Sequence, residues 1–132
     1  MRKFTLAALT VVLAAASINI GSLASDVGTT SDSSFSRDVL SSKQPVVVDF
    51  YADWCGPCHR MAPVVDQLSN EYGGRVRFVR VNIDSSPNTA QRYGISSIPT
   101  FGVFKNGRMV GSTTGDMPKQ ELAGTINRAL TR

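Results

Sequence analysis

The run Val46-Val47-Val48-Asp49-Phe50-Tyr51 continues through Ala52-Asp53 into Trp54-Cys55-Gly56-Pro57-Cys58. This junction constrains the fold more than any other part of the chain. A β-branched apolar run opened by Pro45 is the pattern of a buried strand. Beyond the cysteines, Met61, Val64, Val65, Leu68 and Tyr72 recur at helical spacing. That helix should bend at Pro63 and end at Gly73-Gly74. The two cysteines therefore mark a passage from a core strand to the first turn of a helix.

The remaining pattern extends the same alternation. A helix is predicted from about Ser33 to Ser41, on the spacing of Phe35, Val39 and Leu40. Arg75 to Ile83 alternates and reads as a second core strand. Pro87 to Tyr93 is a short helix stopped by Gly94. Thr100–Lys105 and Arg108–Thr113 are strands joined by Asn106-Gly107, a hairpin signal. Leu122, Ile126, Ala129 and Leu130 mark a final amphipathic helix. A strand near Val27–Thr30 is only weakly written. Alternating units imply parallel strands, and the hairpin adds an antiparallel pair. The fold class is α/β: a mixed sheet with helices on both faces.

The first residues have a different character. Arg2 and Lys3 precede a mostly apolar, uncharged stretch from Phe4 to Ile20, and small residues follow at Ser22-Leu23-Ala24. Basic, apolar, small is the order of a secretory leader, so residues 1–24 read as a signal peptide cut after Ala24. Ala14-Ala15-Ala16 offers a weaker cut, and an uncleaved membrane anchor or an organelle transit peptide are the alternatives. Export to a periplasm or to the outside is the expectation. Residues 25–32 read as a flexible lead-in segment and residues 33–132 as one domain.

The whole chain has 132 residues and a formal charge of +4. Without residues 1–24 the charge is +2 over 108 residues. Arg75, Arg77 and Arg80 then form the one basic grouping, in a segment where a solvated face or edge is the ordinary expectation. No clustered basic stripe points to nucleic acid. Two cysteines are too few for a disulfide scaffold, which leaves them available for chemistry.

Two intervening residues let the sulfurs of Cys55 and Cys58 meet across the first helical turn. At the helix N-terminus, free N–H groups and the helix dipole favour a Cys55 thiolate, the attacking species in disulfide exchange. Cys58, one turn on, is expected to be the more buried and to resolve the mixed disulfide. Pro57 suits a first turn that needs no donor. Cys55 to His59 also spells the attachment motif of c-type haem. Haem domains of that type are mainly helical, whereas this motif joins a valine-rich strand to a helix. Zinc would normally take four ligands, against two Cys and one adjacent His. No metal and no cofactor are expected beyond a redox-active Cys55–Cys58 disulfide.

The stretch from Val47 to Cys58 closely resembles the active-site region of the thioredoxin family. The likeness continues through Ala62-Pro63, Val81-Asn82-Ile83-Asp84, Tyr93-Gly94-Ile95, Ile98-Pro99-Thr100 and Phe104-Lys105-Asn106-Gly107. It implies a thioredoxin fold with a central sheet of four to five strands, and a protein-disulfide reductase. It makes Cys55 the nucleophile, Cys58 the resolving cysteine and Asp49 a buried acid that accepts and returns a proton. It makes Pro99 a cis-proline facing the disulfide. Trp54, Gly56, Pro57, Ile98 and Gly115 would form an apolar rim, with substrate bound along Trp54, Ile98, Pro99, Thr100 and Gly115.

Two residues depart from the family pattern. His59 stands where a lysine is common and reads as a plain exposed residue. Arg80 replaces a lysine beside the acid and, if turned inward, should hold Asp49 ionised more firmly. The implied partners are protein disulfide substrates and an electron donor that the sequence does not name. A monomer is expected. An exported oxidase or isomerase, or a non-catalytic binding module, are the competing readings.

Overall fold

The computed structural model describes residues 11–12, 14–15 and 26–132. Most of the leader 1–24, its cut after Ala24 included, lies outside the described residues. Among those described, no helix is long and apolar enough to cross a membrane.

Five strands form one sheet: β1 (Gly28–Thr30), β2 (Val46–Tyr51), β3 (Arg77–Asn82), β4 (Thr100–Lys105) and β5 (Arg108–Thr114). Their spatial order is β1-β3-β2-β4-β5. β1, β3 and β2 run parallel, while β4 and β5 are antiparallel to their neighbours. Three helices flank the sheet: α1 (Gly56–Tyr72), α2 (Pro87–Arg92) and α3 (Lys119–Leu130). The fold is the expected thioredoxin fold, with five strands.

Period-two alternation along β2 distributes its side chains to two cores. Val47 joins Met61, Val65, Leu68, Phe101, Leu122 and Ile126 under α1 and α3. Val46, Val48 and Phe50 join Phe35, Val39, Val79, Val81 and Phe104 on the opposite face. Burial of a side chain such as Phe50 contributes about 2–3 kcal/mol. Parity also puts Asp49 on the α1 face with Val47, and Arg80 on that face with Phe78. Asp49 and Arg80 are register partners on adjacent strands.

Several element ends follow from single residues. Asn106 and Gly107 both take positive φ, 52° and 77°, which gives the tight turn joining β4 to β5. α1 ends at Gly73 in the left-handed region. Pro63 lies within α1, which is continuous from Gly56 to Tyr72. At Gly111 an added Cβ would lie 2.8 Å from the Ala129 Cβ, so α3 packs on β5 at a distance only glycine allows.

Three expectations need correction. The helix predicted over 33–41 is a single π-helical turn, Ser36–Leu40, closed by the Ser41 N–H on the Ser36 carbonyl. The segment read as a flexible lead-in, 25–32, holds β1, and Asp32 beyond it is tied to α2. The Asp32 carboxylate accepts from the Thr89 N–H at 2.8 Å and the Thr89 hydroxyl at 2.7 Å. Backbone pairing with β3 holds this segment, and Val27 alone of its apolar side chains packs against the core, so its composition reveals it only faintly. Of the three arginines assigned to a solvated face, Arg75 and Arg77 are exposed, but Arg80 turns inward beneath α1.

Candidate active site

Strand β2 delivers the chain at Tyr51, and Ala52 to Trp54 turn it into α1. Cys55 is the N-cap of α1, and the Cys58 N–H donates to its sulfur at 3.2 Å. Cys55 and Cys58 are joined as a disulfide with their Cα atoms 5.3 Å apart. Pro57 sits in the first turn, where its missing N–H leaves no helical bond unmade. Cys58 is not the more buried of the pair: Cys55 is 4% exposed and Cys58 5%. Each sulfur shields the other in the disulfide, and Cys55 Sγ also lies 3.8 Å from the Ile98 carbonyl oxygen.

Behind the disulfide lies a cavity of about 230 Å³, lined by Asp49, Tyr51, Cys58, His59, Ala62 and Arg80 among others. Asp49 is 3% exposed, and its Oδ1 has no hydrogen-bond partner among the described residues. Its Oδ2 accepts from Arg80 Nε at 3.3 Å. Burial pushes the Asp49 carboxyl up to about 6, while the Arg80 guanidinium pulls it down and the Asp66 carboxylate adds a small push upward. The expectation that Arg80 would hold Asp49 ionised thus meets a stronger opposing effect. Desolvation of the carboxylate outweighs the ion pair, in part because Arg80 is shared. Its Nη2 donates to the Ala62 carbonyl at 3.2 Å and lies 3.5 Å from Asp66 Oδ1.

The Ile98–Pro99 peptide bond is cis, as expected. The Gly115 N–H donates to the Pro99 carbonyl, which binds the loop after β5 to this turn. Trp54 is 70% exposed beside the disulfide. Gly56 is exposed, and Pro57, Ile98 and Gly115 are partly so. Thr100 differs: its side chain is buried, its hydroxyl donates to the Ser97 carbonyl, and it shares a hydrogen bond with Thr114. Its backbone lies within the sheet, in register with Phe50 of β2 and Thr114 of β5, so Thr100 does not face a substrate as expected.

Three further residues shape the site. The Trp54 indole N–H donates to Asp84 Oδ2 at 2.8 Å. His59 is exposed, yet its Nε2 donates to the Asp53 carbonyl at 2.6 Å, which ties α1 to the loop before it. Asp66 completes the Arg80 cluster. The sequence holds a signal for Asp66, because Cys58, Ala62 and Asp66 follow one another at four-residue steps on one helix face. No local pattern announces Asp84, which lies 30 residues from Trp54.

Comparison with known proteins agrees with this geometry. The thioredoxin family model matches residues 26–128. A thioredoxin of Synechocystis sp. is 53% identical over 100 residues, covering 76% of this chain and 94% of the relative. Thioredoxin 1 of Synechococcus elongatus is 48% identical over 99 residues, 75% of this chain and 92% of the relative. The chloroplastic thioredoxin M4 of Arabidopsis thaliana is 47% identical over 105 residues, 80% of this chain and 54% of that protein. With a disulfide at the head of α1, a buried acid behind it and a cis-proline beside it, the chain belongs to the thioredoxin family and is a thiol-disulfide oxidoreductase.

Proposed function

We propose that the protein reduces disulfides of protein substrates, with Cys55 as nucleophile, Cys58 as resolving cysteine and Asp49 as proton carrier. In the reduced enzyme the Cys55 thiolate attacks a substrate disulfide. A Cys55–substrate bond forms, and the first substrate sulfur leaves as a thiolate and takes a proton from water. Cys58 then passes its proton to Asp49 and attacks Cys55. The Cys55–Cys58 bond forms, and the second substrate sulfur leaves. Two electrons have passed from the enzyme dithiol to the substrate, and a donor must return them.

The observation that carries this reading is the cavity shared by Cys58 and Asp49 behind the helix-capping disulfide. A carboxyl that titrates at about 6 is a competent base at neutral pH and can still hold the proton briefly. Substrate is proposed to lie as an extended segment across Trp54, Pro57 and Ile98, pairing with backbone beside Pro99. Gly115 borders this track. The enzyme is proposed to need no cofactor beyond the disulfide and to act as a monomer.

Residues 1–24 support export, with the domain acting in a periplasm or outside the cell. That setting favours a membrane-borne electron donor if the enzyme works as a reductant. The same leader supports a second reading as an exported oxidase or isomerase. Reduction of insulin by dithiothreitol with catalytic enzyme tests the activity. Alkylation of thiols in intact cells tests direction: a mostly reduced Cys55–Cys58 pair supports the reductase, and a mostly oxidised pair supports the oxidase. Fractionation of the cells tests the compartment.

A further inference from the structure

We propose that the end of the domain opposite the disulfide docks on an anionic lipid bilayer. Strand register gathers the basic side chains there. β2 and β3 both begin at this end, with Val46 opposite Arg77. Arg77 donates to the Asp38 carbonyl, which brings the turn carrying Arg37 alongside. Gln44 donates to the Gly74 carbonyl, which places Lys43 and Arg75 together. β4 ends and β5 starts at the same end, at Lys105 and Arg108. Their turn touches the first group, since a Cβ on Gly107 would lie 3.2 Å from the Leu40 carbonyl. Arg132 joins by donating to the Val110 carbonyl.

These seven cations meet three carboxylates at this end, Asp26, Asp38 and Glu71, a side-chain net of +4. Glu71 at this end is also paired with Lys119, and the remaining four cations of residues 26–132 meet seven carboxylates, a net of −3. The domain is therefore polarised far more than its overall charge of +2 suggests. Six of the seven basic side chains are exposed and Lys105 is partly so. Most of them bond to main-chain oxygens; Arg37 pairs with the Asp38 carboxylate, and Lys105 donates to the Leu130 carbonyl and to the main-chain oxygen of Arg132, the last residue. A field of this kind orients a domain on a negatively charged surface.

Two observations favour lipid over nucleic acid. Asp26 borders a small cavity with Gln44, Gly74 and Arg77, so residues 1–25 join the domain at this end, and on the uncleaved-anchor alternative their apolar run Phe4–Ile20 would hold this end at a bilayer. The exposed large apolar side chain here is Met109, suited to a headgroup boundary, whereas exposed Trp54, able to stack on a base, is at the other end. Docking this way points the disulfide into the aqueous compartment, where protein substrates reach it.

Vesicle flotation tests the proposal. Residues 26–132 hold the entire sheet and both cores, and the matched Synechocystis relative is covered to 94% of its length, so this segment is used alone. It should float with phosphatidylcholine vesicles containing about one-third phosphatidylglycerol, not with phosphatidylcholine alone, and should be released by about 0.5 M salt. Lys43→Glu with Arg108→Glu should lower the bound fraction about tenfold with insulin reduction unchanged. Arg60→Glu, in the first turns of α1 at the disulfide end, should leave binding as it was. Three results would overturn the proposal: no retention on anionic vesicles, retention indifferent to the double reversal, or tighter retention by a single-stranded oligonucleotide than by the vesicles.

Discussion

At Val46, Val47 and Val48, strand β2 is apolar, buried and packed against both cores. At Asp49 the same strand carries a carboxylate into the interior with one oxygen unpartnered, and six residues later it has become the cap of a disulfide-bearing helix. The first half follows the rule that interiors are apolar and satisfied. The second half breaks it with a buried acid whose Oδ1 has no partner among the described residues, and an exposed tryptophan follows at Trp54. Exceptions clustered in one place mark where free energy of folding has been given up for chemistry.

Substitutions at the two halves should separate these roles. Cys55→Ser has the largest expected effect on activity: insulin reduction should vanish, while the melting temperature in reductant moves little. On the face of β2 shared by Val46 and Val48, Phe50→Ala should cost about 3–5 kcal/mol by urea denaturation, because Phe50 is fully buried among Val48, Val79 and Phe104. The remaining folded protein should still reduce disulfides.

Asp49→Asn should do the reverse, stabilising the fold while impairing the reaction. The Asp49 carboxyl binds its proton more tightly when folded, at about 6 against 3.8, so its contribution is most favourable below about pH 4 and is lost as pH rises to about 6. Ionising it inside the fold costs up to about 3 kcal/mol at neutral pH. The Asn variant should therefore gain up to that amount at pH 7 and nothing near pH 3.5, less whatever the lost Arg80 pairing contributes. Its release of substrate from the mixed disulfide should be slower. Denaturant melts at the two pH values check the first point, and stopped-flow measurement checks the second.

Two smaller effects sharpen the comparison. Trp54→Ala should raise KM for protein substrates a few-fold with little change in stability, since the ring is mostly exposed. Asp66→Asn should lower the titration midpoint of Asp49, because it removes a like charge and leaves Asp49 the one carboxylate beside Arg80. A carbon-detected NMR titration of Asp49 reads this directly.

Chemistry and periodicity coincide at short range in the elements that the sequence makes legible. The valine run, the helix from Gly56, the Asn106-Gly107 turn and the cysteine pair are each written locally. β1 was faint because parallel pairing holds it through backbone bonds. The inward turn of Arg80 depended on strand parity relative to α1, which fixes its face only once the sheet is assembled. Equal burial of the two cysteines follows from a loop 43 residues beyond Cys55, at Ile98, and no spacing rule reports it. The basic end was illegible for the same reason: its arginines and lysines are scattered along the chain and converge only through register.

The account rests on Cys55 attacking and Cys58 resolving, and trapping tests that division most directly. Reduced Cys58→Ser enzyme, mixed with a disulfide-containing protein and quenched in acid, should accumulate a covalent adduct that peptide mapping places at Cys55. The matching Cys55→Ser enzyme should form little or none. An adduct that forms readily through Cys58, or none in the Cys58→Ser enzyme under conditions where the wild type turns over, would contradict it.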